Sequence, residues 1–128
     1  MKALIVDEPW ITAILRGAKT WEMRKTGCKL RGPIALIRKG SKHVVGVAEI
    51  TDCLPPLGTL EAYASAEPLH HVPPSYQEHA FAEGWRTPWV LANARPLPKA
   101  VPYKHPSGAV IWVNLDPETA AKVEVQTQ

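Results

Sequence analysis

The chain has 128 residues, of which 45% are hydrophobic and 21% are charged, and its formal net charge is +3. The length suits a single domain with one core, and the composition excludes an intrinsically disordered chain. The first apolar run ends at Asp7, which is too early for a signal peptide, and no window is long enough to span a membrane, so we expect a cytoplasmic protein.

Cysteine usage agrees with that expectation. Cys28 and Cys53 form no C-x-x-C pair and are too few for a disulfide framework. We therefore predict two unreactive thiols in a reducing compartment.

Positive charge is concentrated in one part of the chain. Nine Lys and Arg residues but only one acid, Glu22, lie between Arg16 and His43, and a second basic stretch follows Trp85. If the two stretches fold together, they form a positive face that attracts polyanions; the alternative is a solvated surface without a ligand. The candidate nucleic-acid-binding residues are Arg16, Lys25, Arg38, Lys39 and Lys42.

The first elements in chain order are a strand over 2–6 and a helix over 8–16. Asp7 is the expected N-cap of this helix, and Gly17 supplies the permissive residue that commonly follows a helix end. Over 20–24 large apolar residues alternate with polar ones, as in a half-buried strand.

This alternation predicts the orientation of the strand over 20–24. Trp21 and Met23 should face the core, whereas Glu22 and Arg24 should share the opposite face. Lys19, at the end of the helix, should lie beside them.

The rest of the chain predicts a hairpin, an irregular excursion and two more strands. The hairpin pairs 33–38 with 43–50 through a short loop that contains Gly40. Five prolines break 54–85 into short pieces, with helical turns near 60–64 and a helix near 75–82. Strands follow over 88–94 and 108–115, and the prolines after Ala94 suit strand edges and bends.

We therefore predict an α+β, mostly β domain over 1–116. Its expected form is a small β-barrel of about five to six strands with an early helix and short helices at the rim. An open α+β sandwich is the alternative. Residues 117–128 are expected to be a polar and frayed C-terminal tail.

The strongest candidate site combines Lys19, Thr20, Glu22 and Arg24. Two cations and a carboxylate in one patch could orient a phosphate or a base edge. They could also shift the pKa of a Lys or Glu so that it transfers a proton. The alternative is an ion-pair network that joins the helix to the strand.

Aromatic residues and histidines offer weaker candidates. Trp85 lies outside the periodic apolar segments and is a candidate ligand contact, whereas the other four tryptophans are expected in the core. We predict no metal site, because the histidines of the excursion lack a carboxylate or thiol at ligand spacing, and these are His70, His71 and His79. Tyr103 and Ser107 belong to a polar loop that either rims the site or forms a turn.

These residues resemble the ASCH family, a branch of the PUA-like superfamily of small β-barrels linked to RNA. The matching residues are Pro9-Trp10, Gly17, Lys19, Thr20, Glu22, Arg24, Trp89-Val90-Leu91, Asn93 to Leu97, and Val101-Pro102-Tyr103 through Gly108 and Trp112. The resemblance implies a cleft between the early helix and the sheet, with the Lys-Glu-Arg patch inside it. It implies RNA or a modified nucleoside as the partner. We expect no cofactor.

Members of this family differ in activity. Some resemble RNA-binding modules, some are nucleases on single-stranded RNA, and some are small amidohydrolases that remove the acyl group from the exocyclic amine of cytidine. In the amidohydrolase type a Lys matching Lys19 works with a Thr three residues later and with a Glu farther along the chain. Here the Thr position is Glu22, which departs from the pattern.

Our first hypothesis is a metal-independent hydrolase of acylated cytidine or a related pyrimidine nucleoside. Glu22 would act as a general base on water, Lys19 or Arg24 would stabilise the oxyanion, and Thr20 or Tyr103 would supply a hydrogen bond. Substrate binding is assigned to Arg24, Trp85, Tyr103 and Ser107. A non-catalytic RNA-binding module and a single-stranded-RNA ribonuclease are the alternatives.

Overall fold

The computed structural model describes all 128 residues and contains one six-stranded sheet. The strand order is β2-β5-β4-β3-β1-β6, and only the pair β1 and β3 is parallel. The strands are β1 (Lys2–Val6), β2 (Trp21–Arg24), β3 (Gly32–Arg38), β4 (His43–Cys53), β5 (Thr87–Pro102) and β6 (Trp112–Asn114).

Five short helices accompany the sheet. They are α1 (Trp10–Leu15), α2 (Leu60–Ser65), α3 (Glu67–His70), α4 (Pro74–Ala82) and α5 (Pro117–Val125). The sheet curves into a half-barrel, which confirms the predicted α+β, mostly β class with rim helices.

The two faces of the sheet bury different side chains. Ala3 and Ile5 belong to one apolar cluster, whereas Leu4 and Val6 belong to another, because successive side chains of a strand point to opposite faces. Helix α5 covers the first cluster and α1 the second. A third, smaller cluster lies between β2 and the helices α2 to α4.

The C-terminal segment differs from the prediction of a frayed tail over 117–128. Asp116 caps α5, because its Oδ1 accepts a hydrogen bond of 2.7 Å from the backbone N–H of Thr119. Ala120 and Val123 on the inner face of this helix are buried in the first cluster. The segment is polar only on its outer face, so its order comes from burying a narrow apolar stripe.

Strand β5 is longer than predicted. It continues past 88–94 to Pro102 and pairs with β4 over most of that length, with irregularities in register. Strand β2 pairs only with the part of β5 from Thr87 to Val90. The later part of β5 therefore has an edge without a partner, where the missing N–H of a proline removes no ladder hydrogen bond.

Helix α1 and strand β6 also differ at their ends. The helix begins at Trp10 rather than at position 8, and Pro9 occupies the N-cap position without a side-chain hydrogen bond. Asp7 instead accepts a hydrogen bond from the N–H of Glu8. Strand β6 covers three residues of the predicted 108–115, because Gly108 at φ 80° belongs to a turn.

The close approach of α1 to the sheet depends on Gly46 in β4. A Cβ atom at this position would overlap the side chain of Leu15 and would stand 2.8 Å from the carbonyl oxygen of Arg95. The backbone oxygen cannot move without disturbing β5. Glycine is therefore required here by packing.

We expect Gly46→Ala to lower the free energy of unfolding by about 2 kcal/mol, because the added methyl group overpacks the interface between α1 and β4. Urea denaturation of the whole chain measures this change. Gly58→Ala is the matched control, since nothing lies within 4 Å of its added methyl group. If Gly46→Ala and Gly58→Ala were equally stable, α1 and β4 would be able to move apart for the methyl group at little cost, and the packing argument would be wrong.

Candidate functional site

A cavity of about 850 Å³ opens beside β2, between α1 and the helices of the segment 54–85. Its deepest residues are buried and include Glu22, Met23, Tyr63 and Trp89. Exposed residues surround its mouth, and these are Asp7, Glu8, Pro9, Lys25, Thr26, Lys39, Pro73, Ser75, Tyr76, Val110 and Ile111. The volume lies within the range of about 300–1,000 Å³ that is common for small-molecule sites.

Lys19 lies behind the cavity and does not line it. Its side chain is 1% exposed, and Nζ donates hydrogen bonds to the carbonyl oxygens of Trp21 at 2.7 Å and His70 at 2.6 Å. Glu22 Oε1 is 3.6 Å from the same nitrogen. Burial lowers the pKa of Lys19, and the charge of Glu22 opposes this shift.

Glu22 forms the polar end of the cavity together with Arg24. Its Oε2 accepts a hydrogen bond from Arg24 Nε at 3.0 Å and lies 2.8 Å from Nη2 in the same ion pair, while Nη2 donates to the carbonyl oxygen of Ile5 at 2.9 Å. The guanidinium carbon is 5.5 Å from the ring centre of Trp89. A buried carboxylate is thus held between two cations, and one of these, Arg24, reaches the cavity.

The alternation in β2 predicted that Trp21 and Met23 face the core and that Glu22 and Arg24 lie on the opposite face of the strand. Met23 is buried in the third cluster as expected, and Trp21 packs against that cluster while remaining partly exposed. Glu22 is 5% exposed, so the opposite face is also covered. Lys19 and Arg24 pair with the Glu22 carboxylate, and Trp89 is its neighbour on the paired strand β5.

Aromatic side chains form the walls of the cavity. Tyr76 of α4 lies 6.1 Å from Trp10 and 6.3 Å from Trp85, measured between ring centres. Tyr63 donates a hydrogen bond of 2.9 Å to the carbonyl oxygen of Trp85. Burial raises the pKa of Tyr63 to about 12, so its hydroxyl is protonated at neutral pH.

Trp85 lines the cavity, where ligand contact was predicted. Trp10 and Trp89 were predicted as core residues; they pack against the second cluster or belong to it, and they also line the cavity. No sequence pattern pointed to Tyr63, Tyr76 or Val72, because all three lie in the proline-broken segment. Only the tertiary packing of that segment makes it a wall of the cavity.

The basic candidates are distributed around the mouth and beyond it. Lys25 and Lys39 line the cavity, and Lys39 Nζ is 3.9 Å from Asp7 Oδ2. Arg38 pairs with Glu8 next to them. Arg16 and Lys42 are exposed and do not line the cavity.

Three predicted site residues lie away from the cavity. Thr20 is partly buried and does not line it. Tyr103 and Ser107 line a separate cavity of about 330 Å³ near the start of α5. The Tyr103 hydroxyl is 2.9 Å from His105 Nδ1, and His105 Nε2 is 2.9 Å from the Ala109 carbonyl oxygen. These contacts agree with the turn alternative for this loop.

His70 is a packing residue in the wall behind Lys19. Its ring is fully buried; Nε2 donates to the Tyr63 carbonyl oxygen at 2.6 Å, and Nδ1 accepts from the Val72 N–H at 2.9 Å. Burial lowers the pKa of His70, with the nearby charge of Lys19 acting in the same direction. No group of three or more His, Cys, Asp or Glu side chains is arranged to hold a metal ion.

The chain belongs to the ASCH domain family, since the model of that family matches residues 4–100. The family resemblance and the PUA-like fold are thereby confirmed.

Crystal structures of ASCH from Zymomonas mobilis share this fold. The chain is 16% identical to that protein with a TM-score of 0.71, and the match covers 97% of this chain and 93% of the other. A mutant of the same protein matches at 16% identity and a TM-score of 0.70, with 97% and 96% covered. No curated protein matches the chain significantly. None of the helices has the length and apolar character needed to cross a membrane.

We expect the free energy of unfolding to fall as the pH drops below about 6.5. In this range His70 becomes protonated in the unfolded chain but stays neutral in the folded protein, because burial lowers its pKa there. The slope approaches about 1.4 kcal/mol per pH unit for one such group. Urea denaturation at about pH 7.5 and about pH 5 measures it. His70→Asn should reduce this slope, since Asn Oδ1 can still accept from the Val72 N–H without titrating.

His71→Asn is the control, because His71 at φ 56° is the adjacent residue and Asn tolerates this left-handed conformation. This variant should keep the slope of the unmodified protein. If the pH dependence of stability were the same in His70→Asn as in the unmodified protein, His70 would not be its cause.

Proposed function

We propose that the cavity binds a cytidine whose exocyclic amine is acylated and that the protein hydrolyses this amide. The observation that supports this best is the pair Glu22 and Arg24 at the closed, polar end of an aromatic cavity. Membership of the ASCH family supports a ligand derived from RNA.

The hydrogen-bonding groups at the closed end complement a cytosine edge. Each Glu22 oxygen has a cationic partner, but a carboxylate has about four lone-pair sites and keeps acceptor capacity. Arg24 Nη1 makes no hydrogen bond within the protein and is a free donor. An acceptor beside a donor matches the N4 hydrogen and the neighbouring ring nitrogen of cytosine.

The walls suit a planar base. Trp10, Tyr76 and Trp85 present ring faces or edges to the cavity, and stacking on such rings is the usual way in which proteins hold an unpaired base. Val110 and Ile111 at the mouth add apolar surface.

The proposed reaction uses Glu22 as the general base. Glu22 takes a proton from a water molecule, and the hydroxide forms a bond to the amide carbonyl carbon. Arg24 stabilises the oxyanion, because its guanidinium is already oriented by Glu22 and by the Ile5 carbonyl. Glu22 then returns the proton to N4 as the carbon–nitrogen bond breaks, which releases cytidine and a carboxylic acid.

Lys19 has a positioning role in this proposal. Because it lies behind Glu22 and does not line the cavity, it does not contact the substrate. Its ammonium lies 3.6 Å from Oε1 and helps to hold the Glu22 carboxylate in place. Thr20, Tyr103 and Ser107 have no role in the reaction, since they lie away from the cavity.

Binding without reaction is the second candidate function. An RNA-binding module is favoured by Lys25 and Lys39 at the mouth, by Arg38 beside them, and by Arg16 and Lys42 elsewhere on the surface. Affinity for single-stranded RNA would then fall steeply as salt increases.

We expect the purified protein to release carboxylate from N4-acetylcytidine in the presence of a chelator, as measured by chromatography of the products. Glu22→Gln should lower kcat by about 100-fold or more, because it removes the general base. Glu78→Gln is the matched control, since Glu78 is an exposed acid of α4 that does not line the cavity. Circular dichroism checks that each variant is folded.

Two outcomes would contradict the hydrolase. One is the absence of release by the unmodified protein; the other is equal activity of the two glutamate variants. If release is absent while single-stranded RNA binds with steep salt dependence, the RNA-binding module is the better assignment.

A further inference from the structure

Two loops that are distant in sequence bring cations to the mouth of the cavity. Lys25 follows β2, and Lys39 follows β3 in the turn before β4; both line the cavity. The buried end of the cavity holds the groups that suit a base, so these lysines lie where the rest of a ligand would emerge. Thr26 lines the mouth beside Lys25, and its hydroxyl has no hydrogen-bond partner within the protein.

Acids at the mouth are already paired. Glu8 contacts Arg38 and also accepts hydrogen bonds from the Thr12 hydroxyl, and Asp7 lies 3.9 Å from Lys39. Lys25, by contrast, has no carboxylate within 4.0 Å. It is therefore the cation at the mouth that is available to a ligand.

The charge of the whole site is positive. The lining itself carries three cations, Arg24, Lys25 and Lys39, and three carboxylates, Asp7, Glu8 and Glu22. Two further cations pair with these acids without lining the cavity, Lys19 with Glu22 and Arg38 with Glu8, so lining and partners together carry +2. A phosphate monoester carries about −1.5 to −2 at neutral pH. A neutral nucleoside would offer no charged partner to Lys25, the one cation of this set without a carboxylate within 4.0 Å.

We propose that the mouth is a phosphate subsite and that the natural ligand is a nucleotide, a nucleoside that carries a phosphate monoester on its ribose. The Lys25 ammonium and the Thr26 hydroxyl donate to the phosphate oxygens, and Lys39 adds a second positive charge. This inference rests on the binding part of the proposed function, a pyrimidine base at the Glu22 end, and does not require the hydrolysis step.

Binding of cytidine and of cytidine 5′- and 3′-monophosphates tests the subsite. Quenching of tryptophan fluorescence reports occupancy, because Trp10, Trp85 and Trp89 line the cavity. We expect one of the monophosphates to bind about tenfold more tightly than cytidine, which is the gain from one or two charge-assisted hydrogen bonds. This gain should shrink as salt increases, because the lysines at the mouth are exposed.

Lys25→Ala should bring the affinity for the preferred monophosphate down to that for cytidine while leaving cytidine binding unchanged. Lys29→Ala is the matched control: Lys29 is an exposed lysine of the same loop, without an ion pair, that does not line the cavity. This variant should bind all three ligands like the unmodified protein.

The subsite is overturned if neither monophosphate binds more tightly than cytidine, or if the two lysine variants weaken nucleotide binding equally. If cytidine binds but the phosphate adds nothing, the subsite fails while the base-binding end stands. If a monophosphate binds through Lys25 but acylated cytidine is not hydrolysed, the subsite stands and the hydrolase fails. Absence of binding by all three ligands overturns the subsite, whereas the hydrolase is decided separately by release of carboxylate from N4-acetylcytidine.

Discussion

The buried ammonium of Lys19 is the constraint on which the site depends. A charge removed from water costs several kcal/mol unless hydrogen bonds and an opposite charge compensate it. Nζ meets two carbonyl oxygens and Glu22, and these partners belong to β2 and to α3. Because no single element could satisfy this group, the ammonium holds the proline-broken segment against the half-barrel, and that contact creates the cavity.

The same network determines the electrostatics of the cavity. Glu22 is buried between Lys19 and Arg24, and Arg24 is itself held by the Ile5 carbonyl and lies over Trp89. Each polar group therefore has a fixed direction before a ligand arrives. Such preorganisation suits either catalysis or selective binding, because little reorganisation is needed when charge develops or a base enters.

The two ends of the cavity differ in how exposed their side chains are to solvent. Its closed end has buried aromatic and paired ionic groups, whereas its mouth has solvated charges from the loops after β1, β2 and β3. The carboxyl ends of the parallel strands β1 and β3 lie side by side, which brings Asp7 and Glu8 next to Arg38 and Lys39. The two proposals therefore concern different parts of one cavity: the base at the closed end and the phosphate at the mouth.

Local patterns were enough to predict several elements. The alternation from Trp21 to Arg24 predicted β2, and the apolar runs predicted β1, β3 and β4. Helix α5 was missed although Asp116 and Pro117 are a good start signal, because its apolar stripe is short and the segment is polar on average. Strand β5 was cut short at its prolines, since a sequence does not reveal which edge of a strand lacks a partner.

The sequence by itself determined the family, the mostly β class and the patch of Lys19, Glu22 and Arg24, because these depend on short-range spacing and residue type. Only the tertiary structure decided that Lys19 lies behind the cavity, that Tyr63 and Tyr76 wall it, and that Tyr103 and Ser107 belong elsewhere. The physical reason is that burial and pairing arise between segments far apart in the chain, where no local pattern records them.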